Sequence, residues 1–140
     1  MSFADVTEAI RARFRTEVTE PHSLVVQHSN AVPEKNVQRW CQLYVEVIST
    51  QQVSVGARPR FRIAGRLVVN LFTRLNEGDG WLLQALDWVN TAFRSVTIAD
   101  PQIRFDAPSP SGPSVRDEDG GYWRLPTNVP FRADVFGTTP

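Results

Sequence analysis

The first stretch of the chain has the hydrophobic period of an amphipathic helix. Apolar residues recur every three or four positions, and charged residues fall on the opposite side. The apolar positions are Phe3, Val6, Ile10, Phe14 and Val18. We therefore predict a helix over residues 3–19, ended by Pro21.

Two later stretches alternate between apolar and polar positions, which is the pattern of a strand. In residues 39–49, one face carries Cys41, Leu43, Val45 and Val47, and the other carries Trp40, Tyr44 and Ile48. In residues 60–72, one face carries Phe61, Ile63, Leu67, Val69 and Leu71, and the other carries Arg60, Arg62 and Arg66. These patterns predict an antiparallel pair with one buried face, in which Gly65 marks a bulge or a close approach.

Residues 81–96 predict a second helix, which Asp79 could cap. Its main stripe is Leu82, Leu86, Val89, Phe93 and Val96. Trp81 and Trp88 widen the apolar arc to about 160°, although about 100° suffices to seat a helix on a core. Either the helix is unusually buried or its tryptophan edge meets another subunit, and we favour the second interpretation.

Short strands are predicted around residues 24–26 and at Ile103 and Phe105. Residues 106–121 are rich in Pro, Ser, Gly and Asp, which predicts an exposed, flexible loop. Residues 121–135 carry a final strand pattern, which Pro126 and Pro130 should bend or confine to an edge. The order of elements predicts an α+β fold, an antiparallel β-sheet with two α-helices packed on one face. We expect a single domain over residues 1–140.

Composition narrows the function classes. The chain is 41% hydrophobic and 21% charged, and its 15 basic and 15 acidic residues cancel. That balance is globular and gives no global argument for a nucleic-acid or membrane-surface partner. No apolar run approaches the roughly 20 residues of a membrane span. The start lacks the pattern of a signal peptide, and the single Cys41 cannot form an internal disulfide, so a protein assembled in the cytoplasm is expected.

Arginine supplies 14 of the 15 basic residues. Arginine is enriched in protein interfaces, but a GC-rich genome would also produce this bias, and both explanations stay open. The stripe of Arg60, Arg62 and Arg66 could contact phosphate or pair with acids of a neighbouring chain. Zero net charge and the lack of stacking aromatics in phase favour the neighbouring chain.

No catalytic, metal or cofactor motif is found. His22 and His28 lie six residues apart without further ligands at metal spacing, and the Gly78–Gly80 turn is a weak anion site. Asp117, Glu118 and Asp119 could bind a cation, but they lack the EF-hand spacing, and a solvated turn is the simpler interpretation. The sequence therefore predicts a protein that is not an enzyme and has no cofactor.

The C-terminal segment resembles the closing motif of a family of small phage tail proteins. Its pattern is an acidic-glycine loop, an aromatic pair and a strand ending in an aromatic residue and an acid. These parts are Asp117–Gly121, Tyr122-Trp123 and Val129–Asp134. Two further features also fit the pattern of this family. One is the stretch Arg62–Phe72, followed by a glycine turn and a helix, and the other is the N-terminal helix. The family is that of the tail terminators of long-tailed bacteriophages, the lambda minor tail protein U type.

The resemblance implies a structural virion protein that forms a hexameric ring on the tail tube. Such a ring stops tube polymerisation and presents the surface for head-to-tail joining. The implied partners are further copies of the chain, the tail tube protein and a head-tail connector or neck protein, with DNA only passing through the lumen. The expected interface residues are Arg60, Arg62, Arg66, Trp81, Trp88, Arg116, Asp117, Glu118 and Asp119. Another tube or neck ring component of the same virion is the alternative.

Overall fold

The computed structural model describes residues 3–26, 39–56, 59–74, 80–98, 102–110, 115–116 and 122–136. These residues form a mixed α+β fold. The helical elements are α1 (Phe3–Phe14), a π-helical turn (Arg15–Thr19), α2 (Glu20–His22) and α3 (Gly80–Phe93). The strands are β1 (Val25–Val26), β2 (Arg39–Gln52), β3 (Arg60–Arg74), β4 (Thr97–Ile98), β5 (Gln102–Phe105), β6 (Ser109–Pro110), β7 (Val115–Arg116) and β8 (Tyr122–Phe136).

The N-terminal helix follows its predicted period but ends later than predicted. Val6, Ile10, Phe14 and Val18 are buried, whereas Phe3 is exposed. The helix passes through the π-helical turn and reaches His22, with Pro21 near the start of its last turn. A proline is tolerated there because the first turn of a helical segment does not need its N–H. Ser23, in the left-handed conformation at φ 51°, ends the helix instead.

The strands form one sheet in the order β1-β2-β3-β8-β5-β4, and β6 and β7 also pair with β8. The predicted antiparallel pairing of residues 39–49 with 60–72 is confirmed and extends further at both strands. One pairing departs from the prediction of an antiparallel sheet, because β1 runs parallel to β2.

Strand β8 is central, and the expectation that its prolines would keep it bent or at an edge was wrong. On one side it pairs with β3 over its whole length. On the other side it meets three short strands, β5, β6 and β7, with gaps between them. Pro126 and Pro130 fall in the two gaps. Asp106 donates its N–H to the carbonyl of Pro130 there, so the missing proline N–H faces a place where no ladder bond is required.

Two short pieces of the predicted loop over residues 106–121 belong to the sheet. Strands β6 and β7 pair with β8 at Asn128 and Arg124, among others. Positions 111–114 and 117–121 lie outside the described residues.

The buried core residues come from the N-terminal helical segment, from α3 and from the strands. Helix α3 packs on β3 and β8, and α1 contacts α3. Phe93 of α3 joins the layers because its ring stacks on Phe14 at 6.3 Å and meets Phe105 edge-on at 5.0 Å. Within the described part of the chain, no helix is long and apolar enough to span a membrane.

Candidate functional site

The face of the sheet opposite the core collects arginines from three strands. Alternation turns the even-numbered residues of β3 away from the core, and the antiparallel registers align the even-numbered residues of β8 and β5 with them. We call this surface the arginine face. Among the described residues, its members with positive charge are Arg60, Arg62, Arg66, Arg74, Arg104, Arg124 and Arg132.

Among the described residues, two carboxylates lie on the arginine face, and each forms an ion pair with an arginine. Arg62 Nε lies 3.0 Å from Asp134 Oδ1, and Arg66 Nε lies 2.6 Å from Glu46 Oε2. Each pair joins directly opposed residues of adjacent strands. We expected the arginine stripe to pair with a neighbouring chain, but Arg62 and Arg66 already have acids within this one. The ion pairs are partly exposed, so each contributes only about 0–1 kcal/mol to stability.

A cavity of about 240 Å³ opens on the arginine face where β3, β8 and β5 meet. Its lining is Arg62, Gln102, Arg104, Arg132 and Asp134. Arg104 and Arg132 are directly opposed and exposed, and neither has an ion-pair partner among the described residues. Like charges directly opposite each other in a sheet are destabilising. The cavity therefore has the charge of an anion site rather than of an apolar ligand pocket.

An aromatic cluster lies on the same face at the other end of the sheet. Trp40 stacks on Phe72 at 3.9 Å between ring centroids, and Tyr122 meets Trp40 edge-on at 5.7 Å. Trp40 and Phe72 are only 3% and 4% exposed. Because these rings pack against one another, they do not offer exposed faces on which nucleotide bases could stack.

The tryptophan edge of α3 is partly covered by this chain. His22 stacks on Trp88 with centroids 3.8 Å apart, and Trp81 meets Trp88 edge-on at 5.9 Å. The guanidinium of Arg39 lies 5.4 Å from the centroid of the Trp81 ring. Both tryptophans pack against the core and remain half-buried. The wide apolar arc of α3 is thus explained in part within the chain. Leu83, which lies outside that arc, is an exposed apolar residue of the helix, at 53%.

Of the remaining predicted interface residues, the structure describes only Arg116, which lies beside β8. Arg116 pairs with Trp123 through the β7–β8 ladder, and nothing is described of its side chain. Asp117, Glu118 and Asp119 lie outside the described residues. The structure therefore brings Arg60, Arg62 and Arg66 together on one surface, while Trp81 and Trp88 form a separate cluster on α3.

A second feature of the sheet is an unpaired edge. Strand β1 covers β2 only at Trp40 and Cys41, so within the described part of the chain no strand pairs with the outer edge of β2 from Gln42 to Gln52. Exposed apolar side chains cluster along this segment, at Tyr44, Val47 and Ile48. Edge strands of this length commonly carry lysine or proline as protection against pairing. This segment has neither, but it has the charged Glu46 and the bulge between Val47 and Ser49, which also limit pairing at an edge. Its exposed apolar side chains make it a candidate for contact with another chain.

A metal site has no support among the described residues. They hold no cluster of His, Cys, Asp and Glu that fits a metal ion. Cys41 of strand β2 is buried, and burial raises the pKa of its thiol to about 12. A thiol that keeps its proton is a poor nucleophile.

Sequence reasoning missed four members of the arginine face: Arg74, Arg104, Arg124 and Arg132. A local signal existed, because Arg104 alternates with Ile103 and Phe105, and Arg132 alternates with Phe131 and Ala133. The missing information was the strand order. Only the pairing of β8 between β3 and β5 places these residues beside Arg62.

Comparisons with known proteins bear on the fold. No protein family and no curated protein matches the chain. Twelve chains of solved structures match, and one of them, described by a sequence identifier alone, has a TM-score of 0.64. The match covers 94% of this chain and 97% of that chain at 15% identity. At this identity the similarity shows a shared fold alone.

Proposed function

We propose that the chain is a ring-forming subunit of a bacteriophage tail, acting as the tail terminator. The ring would cap the tail tube, stop its polymerisation and provide the surface for joining the head. This function needs interfaces and no catalytic residue. The proposal draws on the resemblance of the C-terminal motif and on the self-association surfaces of the sheet.

The open edge of β2 carries the proposal. Among the described residues, no strand pairs with the outer edge of β2 from Gln42 to Gln52, where Tyr44, Val47 and Ile48 are exposed. Such an edge is an aggregation hazard for a lone molecule. The opposite edge of the sheet is formed by the short strands β4, β6 and β7, which offer little length for pairing. One long open edge and one edge of short strands suit a subunit whose edge meets a different surface of its neighbour, which is the kind of contact that closes rings.

The proposed ring also implies which surfaces meet partners, which partners these are and where the protein is found. Both helices would cover one face of the sheet, leaving the arginine face and the edge of β2 for partners. The partners would be further copies of the chain in a hexamer, the tail tube protein and a head-tail connector or neck protein. DNA would only pass through the lumen. The protein would be assembled in the host cytoplasm and belong to the virion.

Assembly behaviour separates the proposal from its runner-up, another tube or neck ring component of the same virion. Sedimentation and negative-stain electron microscopy of the purified chain should show a closed ring that does not elongate. Added to a tail tube protein that is polymerising, the chain should shorten the tubes and appear at one end. Tubes built from this chain alone would favour the runner-up. A strict monomer that leaves tube length unchanged would contradict both.

An ordinary metabolic enzyme or small-molecule binder is the alternative from a different class. Such a protein usually has a largely apolar pocket with a few convergent polar groups. The cavity beside Arg62 is lined instead by charged and amide side chains. This lining supports contact with an anionic group at the surface.

A further inference from the structure

The cavity on the arginine face carries an excess of positive charge. Its lining holds three guanidinium groups, one carboxylate and one amide, which leaves a net of two positive charges. The carboxylate of Asp134 is bonded to Arg62, with Oδ1 3.0 Å from Nε. Among the described residues, Arg104 and Arg132 have no ion-pair partner. The charges of these two arginines are therefore not compensated inside the cavity.

The register of the sheet explains why no acid lies beside these two arginines. Arg104 and Arg132 are directly opposed in β5 and β8. The same row of the sheet continues with Ala64 of β3 next to Arg132 and with Thr97 of β4 next to Arg104. Neither neighbour carries a charge. Because like charges directly opposite each other in a sheet are unfavourable, an anion that contacts both arginines relieves their repulsion.

The size and the lining of the cavity limit the kind of ligand. Its volume of about 240 Å³ is several times the roughly 30 Å³ that a water molecule occupies in the liquid, so a polyatomic anion fits. All five lining residues have charged or amide side chains, which leaves little for an apolar ligand to contact. The three guanidinium groups come from three adjacent strands, and Gln102 adds an amide donor. The ligand is therefore recognised by its charge and its acceptor oxygens.

A terminal phosphate group matches this arrangement better than other common anions. It carries close to two negative charges at neutral pH and three strong acceptor oxygens, so it balances the excess charge and offers an oxygen to each guanidinium group. The forked guanidinium group is suited to phosphate oxygens. A carboxylate has one charge and two oxygens. A backbone phosphate of DNA also has one charge, and nucleic-acid-binding domains usually have a basic excess, which this chain lacks.

We propose that Arg62, Arg104 and Arg132 form a binding site for a terminal phosphate group, carried by inorganic phosphate or by a small phosphorylated molecule. Arg104 and Arg132 supply the donors that have no partner within the described part of the chain. Arg62 is held beside them by its bond to Asp134. One copy of the chain contains the whole site, so the inference goes beyond the proposed ring and does not depend on it.

Isothermal titration calorimetry tests the site with inorganic phosphate as the probe, at low ionic strength in a buffer without other oxyanions. The native chain should bind one phosphate per chain, and acetate at the same concentration should not displace it. Arg104→Gln with Arg132→Gln should weaken this binding about tenfold or more. Arg11→Gln with Arg15→Gln removes the same charge from two exposed positions of the N-terminal helical segment, so it is the matched control and should bind as the native chain does.

Two phosphate esters identify the source of the ligand. Methyl phosphate keeps a terminal phosphate with two charges, whereas dimethyl phosphate has the single charge of a DNA backbone link. Binding of methyl phosphate as tightly as inorganic phosphate assigns the site to a phosphorylated molecule, and binding of inorganic phosphate alone assigns it to the free ion. Dimethyl phosphate should bind about tenfold more weakly or worse. Equal binding of dimethyl phosphate, or binding of a DNA duplex that depends on Arg104 and Arg132, would overturn the assignment.

A conservative variant covers the case in which the double variant does not fold. Arg104→Lys keeps the charge but loses the forked donor, so phosphate binding should weaken about threefold or more while circular dichroism shows native thermal stability. Phosphate should also raise the unfolding temperature of the native chain more than that of Arg104→Lys. Equal affinities of the native chain and this variant would reduce the site to a diffuse positive surface and overturn the proposal.

The absence of binding has a clear meaning as well. A native chain that gives no heat of binding and no shift in unfolding temperature at about 10 mM phosphate has no such site. If that chain self-associates and Arg104→Gln with Arg132→Gln abolishes the association, the cavity binds acids of a second copy instead of phosphate. Both results would overturn this inference and leave the proposed ring to be judged by its own experiment.

Discussion

The ring of Phe131 occupies the space above Gly65 that a side chain would fill. The two residues are directly opposed in β8 and β3, and a β-carbon at position 65 would lie 2.9 Å from Phe131 Cζ and closer still to the carbonyl oxygen of Glu46. Opposite Gly65, strand β2 carries a bulge between Val47 and Ser49. Glycine is thus required at the point where a bulged strand and an aromatic ring both approach the backbone.

Gly65→Ala should lower the free energy of unfolding by about 1–3 kcal/mol, because neither the β2 backbone nor the buried ring can move away cheaply. Urea denaturation followed by circular dichroism measures the change. Gly80→Ala is the matched control, since a β-carbon at position 80 meets no atom within 4 Å. Equal stabilities for the two variants would show that the crowding at position 65 is not real.

Ile48 offers a test of the open edge of β2. It is 64% exposed and lies at the bulge. Ile48→Lys places on the edge the charge that natural edge strands use to prevent pairing, so self-association should weaken by about tenfold without loss of fold. Sedimentation equilibrium gives the association constant. Thr91→Lys, at an exposed position of α3, should leave it unchanged. Unchanged association of the Ile48 variant would exclude this part of the edge from the interface.

The long elements of the fold could be predicted from local patterns. Residues 60–72 alternate because one face of β3 is buried, and α3 follows the helical period of Leu82, Val89 and Phe93. The position of Pro126 and Pro130 in a central strand could not be predicted from local patterns. A proline excludes a ladder bond only on the side its nitrogen faces, and the positions of β5, β6 and β7 on that side are a property of the whole sheet.

The candidate site was predictable only in part. Arg60, Arg62 and Arg66 are visible as a stripe because they belong to one strand. Their partners Glu46 and Asp134 are 20 and 72 residues away from Arg66 and Arg62 in sequence, so neither ion pair leaves a local signal. The stacking of His22 on Trp88 is equally non-local. For this reason the sequence alone assigned the tryptophan edge of α3 to another subunit.

Trp88 should contribute to stability as well as to any interface. Its ring is held between His22 and Trp81 and packs against the core. Trp88→Ala should therefore lower the free energy of unfolding by about 2 kcal/mol, less than for a fully buried tryptophan. Leu83→Ala removes an exposed apolar side chain of the same helix. It should change the free energy of unfolding by about 0.5 kcal/mol or less. If the Trp88→Ala chain keeps native stability but does not assemble, Trp88 acts only in the subunit interface.

The buried thiol of Cys41 gives a prediction for alkaline conditions. Burial raises its pKa from 9.0 to about 12, so the native chain keeps a proton that the unfolded chain releases above pH 9.0. The contribution of this group is thus fully present below pH 9.0 and is lost as the pH rises towards 12. Over that interval the free energy of unfolding should fall by about 1.4 kcal/mol per pH unit from this group.

Denaturation at several pH values measures that slope, and Cys41→Ala should reduce it because the variant has no thiol to titrate. The same burial predicts that a thiol reagent added below pH 9.0 labels the native chain far more slowly than the chain in denaturant. Equal labelling rates would mean that the sheet opens around Cys41 in the native state. An unchanged slope in Cys41→Ala would assign the alkaline loss of stability to other groups.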